Sequence, residues 1–244
     1  MTGMEKARNY AKELDKIIDR LEASPAGRKR LLLHSCCAPC SSYVMEYLRE
    51  YFDLTVFYYN PNITENREYR KRVEEQKRLI TEYNRQVEEG CFDRMHSTES
   101  AGKIKIIEGD YEPDCFYELA KGLETCQEGG ERCFRCYRLR LEKTAGLAAE
   151  GKYDYFTTTL TISPLKNARK LNEIGEELAH EYGVAFLPSD FKKKDGYKRS
   201  VELSGQFGLY RQDYCGCVYS KKRIKEAGNC SAEESAMQPV AELK

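Results

Sequence analysis

The chain of 244 residues has no tryptophan, only three histidines and no net charge, with 40 basic residues set against 40 acidic ones. The charge balance excludes a uniformly basic nucleic-acid coat, although it leaves room for a local basic patch. No apolar run approaches the ~18 residues a membrane-spanning helix needs. Met1 to Arg20 is charged throughout and lacks the apolar centre of a signal peptide. The expectation is a soluble cytoplasmic protein with no membrane partner. There is no G-x-G-x-x-G and no Walker loop, and the segment after the first apolar run has no glycine. The loop is therefore not a ready phosphate cradle, which argues against an ATP or dinucleotide role there.

Cysteine is abundant by contrast. Eleven are present, an odd number in a chain without an export signal. In a reducing compartment such residues bind metal or do chemistry more often than they form disulfides. Cys91, Cys115, Cys126 and Cys230 have no close cysteine partner and read as packing residues, with Cys91 and Cys230 in a loop and the tail. The other seven are grouped. Leu31-Leu-Leu-His34 reads as a buried strand that empties into Cys36-Cys37-Ala-Pro-Cys40. Cys133-Phe-Arg-Cys136 and Cys215-Gly-Cys217 follow.

The pattern along the chain alternates helix and strand. Helices are expected over 4–23, 41–51, 65–87, 112–124, 133–150, 166–182 and 198–208. Strands are expected near 30–34, 53–59, 104–107, 153–157 and 184–187, with a loop over 90–103. This predicts an α/β fold, a parallel sheet with helices on both faces. In such sheets ligands bind beyond the carboxyl ends of the strands. Those ends carry Cys36/Cys37, Tyr59/Asn60, Asp110, Thr158/Thr159 and Asp190, which together outline a Cys-rich metal site. The organisation expected is a helical extension over 1–28, a catalytic α/β domain over 29–222 and a tail over 223–244.

Cys36, Cys37, Cys133 and Cys136 supply four thiolates, which suits zinc or an iron–sulfur cluster. Adjacent cysteines are poor for a zinc knuckle but serve two irons of one cluster, so the spacing favours iron–sulfur and leaves zinc open. Cys40 is a fifth ligand, a substrate-side thiol or simply the first turn of a helix, where a thiol acidifies. Cys215-Gly-Cys217 reads as a redox pair able to store two electrons, Gly216 giving the backbone latitude; a second metal half-site is the alternative. Asp110 and Asp190 follow strands and are candidates for proton transfer, or they cap helices. His34, inside a strand, reads as a satisfied core group. Three clusters mix basic residues with tyrosine, at 67–72, 135–140 and 191–199. They suit phosphates and unstacked bases, or form solvated helix faces.

Several motifs resemble the QueH family of epoxyqueuosine reductases. They are His34-Ser-Cys-Cys-Ala-Pro-Cys40, Phe57-Tyr-Tyr-Asn-Pro-Asn-Ile63 with Glu68-Tyr-Arg70, Cys133-Phe-Arg-Cys-Tyr-Arg-Leu-Arg140, Phe156-Thr-Thr-Thr-Leu-Thr-Ile-Ser-Pro164, Ser189-Asp-Phe-Lys-Lys193 and Gly208-Leu-Tyr-Arg-Gln-Asp-Tyr-Cys-Gly-Cys217. The likeness runs from about residue 30 to 222, and the stretch 84–103 is longer than the family leads one to expect. It implies a nucleotide-hydrolase-like (HUP) fold and reduction of the epoxide of epoxyqueuosine to the cyclopentene of queuosine, at the wobble nucleoside of tRNA. It implies a [4Fe-4S] cluster on Cys36, Cys37, Cys133 and Cys136, a redox-active Cys215/Cys217 pair, an additional iron for which Cys40 and Asp110 are candidate ligands, and an electron donor the sequence does not name. A tRNA sulfur-transfer enzyme would need a Gly-rich loop after the first strand. A zinc-stabilised RNA-binding module without catalysis would leave Cys215 and Cys217 idle.

Overall fold

A computed structural model describes residues 8–24 and 27–221. The first helix, α1 (Tyr10–Glu22), is capped by Asn9, whose Oδ1 accepts from the Lys12 N–H at 3.1 Å. It starts later than the sequence pattern suggests; residues 4–7 of that expectation lie outside the described residues, as do Cys230 and the expected tail. Then follow β1 (Lys29–Ser35), α2 (Ala38–Leu48), β2 (Phe52–Tyr58), α3 (Asn66–Glu89), β3 (Lys105–Glu108), α4 (Pro113–Ala120), α5 (Glu131–Glu150), β4 (Tyr155–Thr158), a 3-10 turn (Thr159–Ile162), α6 (Ala168–Tyr182), β5 (Ala185–Phe186) and α7 (Gly196–Gln206).

All five strands are parallel, in the order β3-β2-β1-β4-β5, as an alternating α/β pattern requires. Successive β1 side chains point to opposite faces, and both faces are dry. Leu31 and Leu33 join a core built with Leu14 and Ile18 of α1, Val44 and Leu48 of α2, and Leu79 and Tyr83 of α3. Leu32 joins the other core with Tyr137 and Leu141 of α5, Phe156, and Leu171, Ile174 and Leu178 of α6. The α1 helix is thus part of the main core rather than an appendage. Gly175 lets α6 approach β5, since a Cβ there would sit 2.4 Å from the Phe186 ring.

Two helix ends depart from the sequence expectation. The second helix begins at Ala38, three residues early, because Pro39 occupies its first turn, where the missing N–H is harmless. It therefore takes Cys40 into the helix. The α4 helix stops at Ala120 instead of reaching 124: Lys121 has left helical geometry and Gly122 is left-handed at φ 74°. Among the described residues no helix is long and apolar enough to cross a membrane.

From β1 the chain winds outward through β2 to β3, then crosses back to β4 and on to β5. The winding reverses between β1 and β4, so the crevice opens above their carboxyl ends. The Cys36-Cys37 loop sits there.

Candidate metal and redox centre

His34 fastens the floor of this crevice. Its ring is buried, with Nε2 3.1 Å from the Tyr59 carbonyl and Nδ1 2.9 Å from Thr158 Oγ1. The carbonyl can only accept, so Nε2 carries the proton and Nδ1 accepts from the threonine hydroxyl. Burial, reinforced by the Arg140 charge, holds its pKa down to about 3. A neutral ring tying β1, β2 and β4 together is the satisfied core group read from the sequence. Asn60 adds a second tie, donating to the Ser35 carbonyl at 2.8 Å.

Above this floor the chain turns at Cys36 and Cys37, and Cys37 forms the N-cap of α2. The sulfurs of Cys36, Cys37 and Cys40 lie within 4.8 Å of one another. The Thr159 hydroxyl donates to Cys36 Sγ at 3.5 Å. Hydrogen bonding from Cys37, then from Cys40 and Thr159, holds the Cys36 thiol well below its ordinary pKa, while Cys37 is pushed up to about 12 and Cys40 upward. Cys37 caps α2 and Cys40 lies in its first turn, where the helix N-terminus favours negative charge.

Cys133 and Cys136 lie in the first turns of α5 and stand outside that tight group of three. Cys133 Sγ accepts from the Gly129 N–H at 3.3 Å and packs in the same core as Cys36, whereas Cys136 packs with Phe116 and Cys217. Arg140, one turn further on, links the two sets. It is buried, donates to the Cys136 carbonyl at 3.2 Å and reaches Asn60 Oδ1 at 3.4 Å. Burial opposes its charge, but Cys136, Cys36 and Cys215 outweigh that and keep it ionised.

Cys215 forms the opposite wall, with Cys217 packed behind it. Both are free thiols, with sulfurs 3.4 Å apart. Cys217 lowers the Cys215 thiol pKa, with help from Lys166, and its own thiol is raised in return. Arg72 holds the backbone of this loop, its guanidinium 3.4 Å from the Cys215 carbonyl and anchored on Glu68 at 2.7 Å. Asn62 donates to the same carbonyl at 3.0 Å. Gly216 has φ 105°, and a Cβ there would lie 2.7 Å from Ile63 Cγ1. Gly216→Ala is expected to destabilise the fold by about 1–3 kcal/mol and to slow closure of the Cys215–Cys217 disulfide under mild oxidant. A denaturant melt and a timed thiol titration check it, and wild-type values in both would refute the strain.

Cys36, Cys37, Cys40 and Cys215 line one cavity of about 140 Å³ together with Arg72, Arg140, Lys166 and Gln212. Burial works against the Lys166 charge, but Cys215 and Tyr137 raise its pKa above the ordinary value. The donors are soft thiolates, which suit zinc or iron–sulfur clusters. Two buried polar atoms without a hydrogen-bond partner belong to this site: Gln212 Oε1 on the cavity lining, and Asn62 Oδ1, whose amide nitrogen holds the Cys215 carbonyl. Unpaired acceptors beside a set of soft thiol donors leave room for a further group, so the residues present fit a thiolate-bound metal centre.

The expected acids lie elsewhere. Asp110 is exposed and lines a separate cleft with Tyr59, Glu112, Cys115 and Lys143. Asp190 pairs with Lys192 at 2.6 Å. Neither caps a helix: the N-caps of α4 and α7 are Glu112 and Asp195. The acids that line the cysteine cavity are Glu128 and Asp213. Packing roles for Cys91 and Cys115 also fail: both are exposed, Cys115 because Phe116 takes the inward face of α4, while Cys126 is half-buried. Arg72 and Arg140, which the basic clusters suggested as phosphate contacts or solvated residues, are buried in the site.

Comparison with known proteins decides the kinship. The family described as epoxyqueuosine reductase QueH matches residues 31–223. The chain belongs to the QueH family. Its curated relatives of that name include one from Staphylococcus epidermidis, 42% identical over 87% of this chain and 84% of the relative. Another, from Streptococcus pyogenes, is 41% identical over 80% and 71%. A third, from Thermotoga maritima, is 36% identical over 81% and 94%. The QueH proteins are reductases, so this chain is an oxidoreductase. Lys166, Gln212 and Asp213 were not singled out by the sequence reading. The signal that points to the last two is adjacency: Gln212 and Asp213 stand just before Cys215.

Proposed function

We propose that this QueH protein reduces epoxyqueuosine at the tRNA wobble position to queuosine. In this reading Cys36, Cys37, Cys133 and Cys136 hold a [4Fe-4S] cluster, and Cys215 and Cys217 form the redox pair. The observation that carries it is the single cavity in which the Cys215 thiol faces Cys36, Cys37 and Cys40 among Arg72, Arg140 and Lys166. The reaction balances without any further oxidant. Two thiols give up two electrons and two protons and close the Cys215–Cys217 disulfide. The epoxide loses its oxygen as water and the two carbons form a double bond. An electron donor must then reopen the disulfide. A bound cluster would supply one-electron transfer at the site.

The acidified Cys215 is the sulfur ready to react, and Cys217 keeps its proton. Lys166 and Asp213, which line the cavity, are better placed than Asp110 or Asp190 to protonate the departing oxygen. Cys40 remains the available thiol for an additional iron. Beside the cavity, and sharing Cys40, Ser163, Leu165, Gln212 and Asp213 with it, runs a cleft that adds Tyr197 and Arg211. Leu165 and Tyr197 are exposed there, which suits stacking by nucleotides beside the modified one. A dithiol that must be re-reduced in each cycle suits a reducing compartment such as the cytoplasm.

The test uses protein purified without oxygen. About four iron and four sulfide per chain are expected, with conversion of epoxyqueuosine to queuosine in tRNA followed by mass spectrometry. Zinc without sulfide, and no conversion after anaerobic reconstitution, would overturn the reading.

A further inference from the structure

The two sulfurs of the redox pair face different cavities. Cys215 lines the cavity that holds Cys36, Cys37 and Cys40. Cys217 lines a second one, of about 270 Å³, together with Cys126 and Cys133. Glu124, Thr125 and Gln127, on the turn between α4 and α5, also line it and are exposed, so it is reached from outside. The two cavities share Glu128 and Ser220. Ser220 ties this partition together: its Oγ donates to Glu128 Oε2 at 3.4 Å and its N–H to Cys217 Sγ at 3.3 Å. The Cys215-Gly216-Cys217 loop is thus open to one space through its first sulfur and to another through its second.

A disulfide is opened by a thiolate that attacks one sulfur and expels the other, through a mixed disulfide. The attacking sulfur comes in line with the S–S bond, from the side away from the leaving sulfur. A thiolate arriving through the second cavity meets Cys217, and Cys215 departs into the cavity it shares with Lys166. The departing thiolate then stands beside a cation and faces the substrate space. A thiolate arriving through the first cavity would meet Cys215 and stay bonded to it, in the space the substrate must enter.

We infer that the second cavity is the entry port for a dithiol reductant, which reopens the Cys215–Cys217 disulfide by attacking Cys217 from the side opposite the substrate. This rests on the reading of Cys215 and Cys217 as the redox pair. One thiol of the reductant gives up its proton and bonds to Cys217 Sγ. The S–S bond breaks, and its electron pair leaves on Cys215, which takes up a proton. The second thiol of the reductant then displaces Cys217, which is protonated in turn. The reductant departs as a disulfide, two electrons poorer, and both cysteines are thiols again.

The test uses protein purified without oxygen and oxidised at the pair with a stoichiometric amount of diamide. In the first arm glutathione, which has a single thiol, is added, the mixture is quenched in acid, and mass spectrometry of the peptide locates the adduct. Cys217 is expected to carry it in preference to Cys215 by about tenfold or more. The second arm times re-reduction in wild type, Cys126→Trp and Leu165→Trp, with a melt of each. Dithiothreitol stands for a small reductant and a reduced Cys-x-x-Cys protein for a large one, and the faster of the two identifies the source. Cys126→Trp narrows the port and is expected to slow that reductant by about tenfold. Leu165→Trp crowds the substrate cavity instead, and re-reduction is expected to keep the wild-type rate. If Cys126→Trp does not fold, the first arm decides on the wild-type chain.

An adduct found mainly on Cys215 overturns the inference. So does a Cys126→Trp protein that melts like wild type and is re-reduced at the wild-type rate, or a Leu165→Trp protein that is slowed in its place. A disulfide that dithionite reopens and thiols do not would route the electrons through the metal centre, which overturns the inference while the redox-pair reading stands. Wild-type protein that forms no Cys215–Cys217 disulfide defeats both the inference and the reading beneath it.

Discussion

Replacing Cys215 and Cys217 together by serine is expected to abolish turnover, by a factor on the order of 10³ or more, while iron and sulfide content stay at wild-type values. The two sulfurs are 3.4 Å apart and only Cys215 lines the shared cavity, with Cys217 packed behind it on Cys136 and Phe116. Serine preserves the size and the Gly216 turn but cannot be oxidised to a disulfide, so the two electrons have no source on the protein. The proposed cluster ligands come from the β1–α2 loop and from α5, not from this loop. Iron and sulfide analysis beside a single-turnover assay separates the roles. Loss of iron in the double variant would make the pair metal ligands instead, and retained turnover would remove them from the reaction.

The second large effect is expected at Arg140. Arg140→Met keeps the length of the side chain and removes its charge. The guanidinium is buried and holds together the Cys136 carbonyl, the Asn60 side chain and the negative charge of Cys136, Cys36 and Cys215. Taking one partner from a buried ionic group costs about 3–5 kcal/mol. In the metal-free protein the thiols escape much of that cost by taking up protons. With metal bound they stay ionised, so the full loss is expected there, together with weaker metal retention. Denaturant unfolding of loaded and metal-free protein, with iron measured after dialysis, gives the answer. Equal stability and equal iron in the variant would show that Arg140 is packing alone.

Much of this site is legible in the chain itself because its signals are local. Leu31-Leu-Leu-His34 is a strand buried on both faces, and the polar Cys36-Cys37 loop after it marks a crevice in any parallel sheet. The spacing of Cys133, Cys136 and Arg140, three and then four residues apart, puts all three on one face of a helix, so the buried role of Arg140 was open to a helical-wheel reading. Asp110 and Asp190 show where such reasoning stops. Each ends a strand segment, yet β3 and β5 are the edges of the sheet, and their carboxyl ends lie away from the reversal between β1 and β4. Strand order, which local pattern does not encode, decides which strand ends meet.

What the sequence determined by itself is the alternation of elements, the parallel sheet and the cysteine sets that carry the chemistry. Those follow from side-chain period, turn residues and short spacings, all properties of neighbouring residues. The tertiary structure alone decided that Cys215 faces Cys36, Cys37 and Cys40, and that Arg72 and Arg140 turn inward. These are contacts between the β1–α2 loop, α3, α5 and the loop after α7, set by strand register and by how each helix is rotated when both faces of the sheet are buried.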